Sequence, residues 1–196
     1  MSVSERHGAT VANADYAAST NPAGAAVVFV RRNATMGVGH VGWGFLVQRG
    51  HEDPLSLTGD GNVWEIGAVE NHHGWIITPP LEDGYWHERT SEPLVPVARL
   101  GYDHYKVVPV IAVNVHAAVV EESRVKERPY MAAVGNCMND VFAILTAYGV
   151  AGLPDPALLV NWLPNAWYDH IDAPEFAIED SEGLVSDPNH VRGATA

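Results

Sequence analysis

Cys137 is the only cysteine of the chain, and it lies where Gly135-Asn136-Cys137-Met138-Asn139-Asp140-Val141-Phe142 passes from loop to helix. The first turn of a helix carries unpaired N–H groups and the positive end of the helix dipole, and both favour a thiolate over a thiol. Asp140 in the same turn opposes that effect by adding negative charge. Far upstream, His40 stands in Gly37-Val38-Gly39-His40-Val41-Gly42-Trp43-Gly44-Phe45, which reads as a strand with small residues on one face. A thiol at a helix start and an imidazole on a strand are the minimal parts of a nucleophile and its base. The chemistry they imply is acyl transfer through a thioester, with N–H groups around Cys137 forming part of an oxyanion hole.

An imidazole base needs an orienting group on its second nitrogen. In a simple antiparallel hairpin, Glu65 shares a face with His40 and is the carboxylate expected to orient it; Asn71 is the rival. The competing reading of Cys137 is a small buried hydrophobe, since it continues the apolar stripe Val141, Ile144, Leu145, Tyr148 of a core-facing helix. Trp64, Trp75 and Trp86, with Tyr85, are candidates to line an apolar cleft for substrate, and Asn136 to contact it. Ordinary core packing competes for Trp64 and Trp43. Glu70, His72, His73 and His87 have metal-ligand chemistry, but adjacent strand histidines point to opposite faces and do not chelate together. No metal and no cofactor is therefore expected, and a metal-dependent hydrolase is the third reading of the chain.

These side chains need elements to hold them. Residues 25–30 form a β-branched run that predicts a strand. Residues 39–48 alternate, with Val41, Trp43, Phe45 and Val47 on one face and His40, Gly42 and Gly44 on the other. Returning strands are expected at 63–69 and near 74–78, and 79–103 reads as irregular. Residues 105–113 predict a strand in which Pro109 demands an edge or a bulge. Asn114 caps a helix running to about 127, and Asn136 caps the cysteine helix, which ends at Gly149. Short helices are expected near 157–161 and after Pro164. The whole reads as α+β, an antiparallel sheet with helices segregated against it. Residues 1–23 read as a flexible arm, 24–178 as one domain and 179–196 as an acidic tail.

At 196 residues, with 47% hydrophobic and 18% charged positions, the chain is sized for one domain with a substantial core. Its formal charge of −13 disfavours nucleic acid and anionic membranes as partners. One cysteine excludes an internal disulfide and a cysteine-rich zinc cage, and a free thiol suits a reducing compartment. The first apolar run, at 25–30, is too short for a signal peptide core or for a membrane span of about 20 residues. A cytoplasmic protein without a membrane anchor is expected. No residue pattern sets an oligomeric state.

The order of these pieces resembles the circularly permuted branch of the papain-like NlpC superfamily, which includes lecithin retinol acyltransferase-like proteins. The residues that carry the resemblance are Gly39-His40-Val41-Gly42, Val63-Trp64-Glu65-Ile66, Tyr105-Lys106-Val107-Val108-Pro109-Val110, the stretch 130–149 around Asn136-Cys137, and Leu163-Pro164-Asn165. The resemblance covers roughly residues 25–168. It implies a papain-like sheet of about five to six strands packed against a nucleophile-bearing helix, with the histidine strand before the cysteine helix. It also implies Cys137 and His40 as the catalytic pair, with Glu65 as the third group. The expected activity is a thiol protease-like hydrolase or acyltransferase acting on an amide, ester or thioester bond of a small-molecule or peptide substrate. The alternative is a catalytically inactive binding module of the same fold, with Cys137 in the core.

Overall fold

The computed structural model describes residues 22–50, 53–57, 61–69, 76–77, 84–128, 130–131 and 136–178. The expected arm, apart from its last two residues, and the acidic tail lie outside them. So do Asn71, His72, His73 and Trp75. Among the described residues the strands are β1 (Gly24–Arg31), β2 (His40–Gln48), β3 (Val63–Val69), β4 (Ile76–Ile77), β5 (Tyr85–Thr90), β6 (His104–Val110), β7 (Tyr130–Met131) and β8 (Glu175–Ala177). The helices are α1 (Ala34–Gly37), α2 (Leu94–Arg99), α3 (Val115–Lys126), α4 (Cys137–Tyr148) and α5 (Pro164–Asp169), with a 3-10 turn at Leu159–Asn161.

Six strands form one open antiparallel sheet in the order β5-β3-β2-β1-β6-β8, and β4 pairs with β7 apart from it. The α+β class expected from the residues is therefore present. The stretch 79–103 was expected to be irregular, and this is corrected: it contains β5 and α2. Pro93 and Pro96 obscure α2 in the sequence. Both fall at its cap and first turn, where a backbone N–H has no helical partner to lose. Pro109 keeps its edge position by a different route. It pairs with Ala25 of β1 on one side, while β8 covers only His104 to Lys106 on the other.

Central β1 is buried from Gly24 to Val30, as a strand of small and β-branched residues must be when both faces are covered. On one face, Phe45 of β2 meets Tyr148 of α4 at a ring separation of 5.2 Å, and Lys106 of β6 reaches the C-terminal end of α5. On the other face, Phe29 of β1 meets Tyr102, 6.2 Å away, beside α2. Alternation of side chains along each strand assigns every sheet residue to one of these two layers. Lys106 Nζ donates to the carbonyls of Tyr168 and Ile171 at 3.0 and 2.8 Å, closing the end of α5 inside the core. Burial lowers its pKa, but the three carbonyls it reaches stand in for lost water.

Candidate functional site

The structure does not bring His40, Glu65 and Cys137 together. His40 opens β2 opposite Arg31, and its ring lies 5.9 Å from Tyr102, in the layer beside α2. Cys137 is the first residue of α4, on the opposite layer, where it is 2% exposed among Val141, Ile144 and Leu145 of the core. Register therefore assigns His40 and α4 to opposite faces of the sheet. Glu65 pairs with Phe45, so it belongs to the α4 side and leaves the sheet away from His40. The expectation that Glu65 orients His40 is corrected, and the cause is local. Gln48 pairs with Val63, but one step further Leu46 pairs with Trp64, so Val47 is an extra residue in β2. A one-residue bulge exchanges the faces of everything beyond it.

The first turn of α4 is also differently engaged. Asn136 caps it, its side-chain oxygen accepting from the N–H of Met138 at 3.1 Å and of Asn139 at 3.4 Å. Asn139 returns a bond from its own side chain to the N–H of Asn136, completing a capping box. The N–H groups of Met138 and Asn139, two of those around Cys137, thus serve the cap. Asn136 is the cap of this helix. Asp140, 6% exposed in the same turn, is pushed up to about 7 by burial and by the nearby charge of Glu121, while Arg128 pulls it down. Burial outweighs the helix dipole here.

A second constellation assembles on the α4 side of the sheet, between β2, β3, β5 and α3. Glu65 of β3 is buried and anchored from β5: Arg89 Nε donates to Oε2 at 2.8 Å, and Nδ1 of His87 lies 3.2 Å from Oε1. The side chains of Arg89 and His87 are 60% and 53% exposed, and that of Glu65 is 6% exposed beneath them. Opposite stands Glu122 of α3, 5% exposed. Its neighbours Ala118 and Val125 are also buried, so a carboxyl occupies an apolar position of the helix stripe. The rings of Trp43 and Tyr85 meet at 5.9 Å with a 40° tilt beside it, and Gly67 leaves the space the Trp43 ring uses: a Cβ there would lie 2.6 Å from Trp43 Cζ2. Burial raises the pKa of Glu122, and the charge of Glu65 raises it further. The Tyr85 phenol is likewise pushed up, by burial and then by Glu122. Lys126 Nζ sits over the Tyr85 ring at 5.7 Å.

Glu65, His87 and Glu122 each place a ligand-type atom within 4.8 Å of the others. His87 was weighed in the sequence beside Glu70, His72 and His73, which lie outside the described residues; the group it joins was not foreseen. The signal that would have found it is Glu122 at i+4 from Ala118 and i−3 from Val125, a carboxylate where the helix pattern calls for an apolar residue. Of the tryptophans expected to line a cleft, Trp64 is corrected, and Trp75 lies outside the described residues. Trp64 is fully buried, and together with Trp86 it points to the face of His40, away from the polar group. It is a core residue.

No protein-family model, curated protein or solved structure matches this chain. The class that fold and site define is an α+β protein with two buried carboxyls meeting a histidine under a solvent-exposed rim. The functional reading rests on that geometry.

Proposed function

We propose that this chain is a ligand-binding module in which Cys137 is a core residue and the pocket of Glu65, His87, Arg89 and Glu122 receives the ligand. The observation that carries the reading is the pairing of β2 with β3, which sends His40 and Glu65 to opposite layers and leaves the thiol beside apolar neighbours. Two buried carboxyls beside a half-exposed imidazole and a guanidinium are suited to a small molecule or peptide with polar groups. The net charge of −13 argues against nucleic acid. A cytoplasmic location accords with the lone free cysteine. No helix among the described residues is long and apolar enough to cross a membrane.

One observation favours a second reading, a cysteine-dependent hydrolase or acyltransferase acting on an amide, ester or thioester. Cys137 is the first residue of a capped helix, where a dipole favours its thiolate, and the histidine strand precedes the cysteine helix as in the permuted papain-like fold. Iodoacetamide at pH 6 separates the two. A core thiol stays unmodified in the native protein and reacts only on unfolding. Rapid native alkylation that slows in His40→Ala would overturn the binding-module reading.

A further inference from the structure

The geometry points to a divalent metal site of the zinc class in this pocket, with Glu65, His87 and Glu122 as the protein ligands. The inference rests on reading this pocket as the binding site and names its ligand. Three things carry it. First, the donor set is one imidazole and two carboxylates, which suits zinc and its neighbours better than calcium, whose sites are built from oxygen alone. Second, the three ligand atoms already lie within 4.8 Å of one another. Bonds of about 2.1 Å at a near-tetrahedral angle set ligand atoms roughly 3.4 Å apart, so closure asks only for side-chain rotation. Third, Oε1 of Glu122 is buried without a hydrogen bond of its own in a residue 5% exposed, while Tyr85 bonds to the same carboxyl. A buried carboxyl oxygen without a donor costs free energy, and a bound cation removes that cost.

The surroundings divide the work. Arg89 holds Oε2 of Glu65, which fixes the carboxylate and leaves Oε1 for the ion. That oxygen now faces Nδ1 of His87 at 3.2 Å, so the ion takes the place of a shared proton. His87 is half exposed, which opens the site to solvent on one side and leaves coordination positions for water or a bound ligand. The three residues come from different elements, β3, β5 and α3, and binding therefore ties the sheet to its covering helix.

The test uses the full chain, stripped of metal by chelator, free of any affinity tag and titrated with zinc chloride against a chromophoric chelator. The result expected is one zinc per chain, weakened about tenfold or more in both Glu122→Gln and His87→Ala. In His104→Ala binding is unchanged, because that ring pairs with Asp103 outside the pocket. His87→Ala alters an exposed side chain and decides the matter if Glu122→Gln does not fold. Absence of stoichiometric zinc, or zinc binding that survives in His87→Ala, overturns the inference. Neither outcome changes the alkylation result expected of a core thiol, so the two readings fail separately.

Discussion

Asp140 makes the stability of this fold depend on pH in a direction opposite to that of most carboxylates. Its pKa in the folded chain is pushed up to about 7 from 3.8, first by burial. The native state therefore holds a proton that the unfolded chain releases at lower pH, and stability falls as pH rises between those two values. A rise of about three units at ~1.4 kcal/mol each is about 4 kcal/mol in full, of which roughly 3 kcal/mol is lost between pH 5 and pH 8. Asp140→Asn keeps the shape of the neutral acid and cannot ionise. Urea denaturation followed by tryptophan fluorescence at pH 5 and pH 8 reads the effect as a gap between wild type and variant. The gap must move in favour of the variant by about 3 kcal/mol from the lower to the higher pH. Glu122, also raised by burial, titrates in both proteins and cancels in the difference. A gap constant to within about 0.5 kcal/mol across that range would refute the reasoning, because it would mean that Asp140 is ionised in the folded state throughout.

Other residues give sharper local tests. Lys106→Met removes the cation shared by the carbonyls of Tyr168, Asp169 and Ile171 and should cost about 1–3 kcal/mol in chemical denaturation, with α5 losing amide-exchange protection first. Asn136→Ala breaks the capping box of α4 and should cost about 1 kcal/mol, again by denaturation. Gly67→Ala pushes a methyl against Trp43 and the carbonyl of Trp86, and should cost about 1–3 kcal/mol while shifting the near-ultraviolet signal of the tryptophans.

Much of the scaffold could be read from residue patterns, because those patterns record burial directly. The alternation in 40–48, the run at 63–69 and the Asn-capped helices at 115–126 and 137–148 all correspond to observed elements. The stripe Cys137, Val141, Ile144, Leu145, Tyr148 is buried along its length. What failed depended on one residue of register. With Gln48 opposite Val63, continuing the ladder without a break would set Glu65 opposite Leu46, on the face of His40. The extra residue in β2 moves it opposite Phe45, and no composition signal marks a bulge of this kind. The pocket was illegible for a related reason. Its members come from three elements whose contact depends on that same register and on the seating of α3 over it. Glu122, a carboxyl within a buried helix stripe, and His87, with its ligand chemistry, carried separate traces of it in the sequence.

The central claim is that His40 and Cys137 occupy opposite layers of the sheet and form no acid–base pair. Histidine-selective NMR titration of His40 in the wild type and in Cys137→Ser tests it most directly. The account predicts the same midpoint for His40 in both proteins. A midpoint that moves by about one pH unit or more on removing the sulfur would show a thiolate and an imidazolium in contact, and would contradict the account.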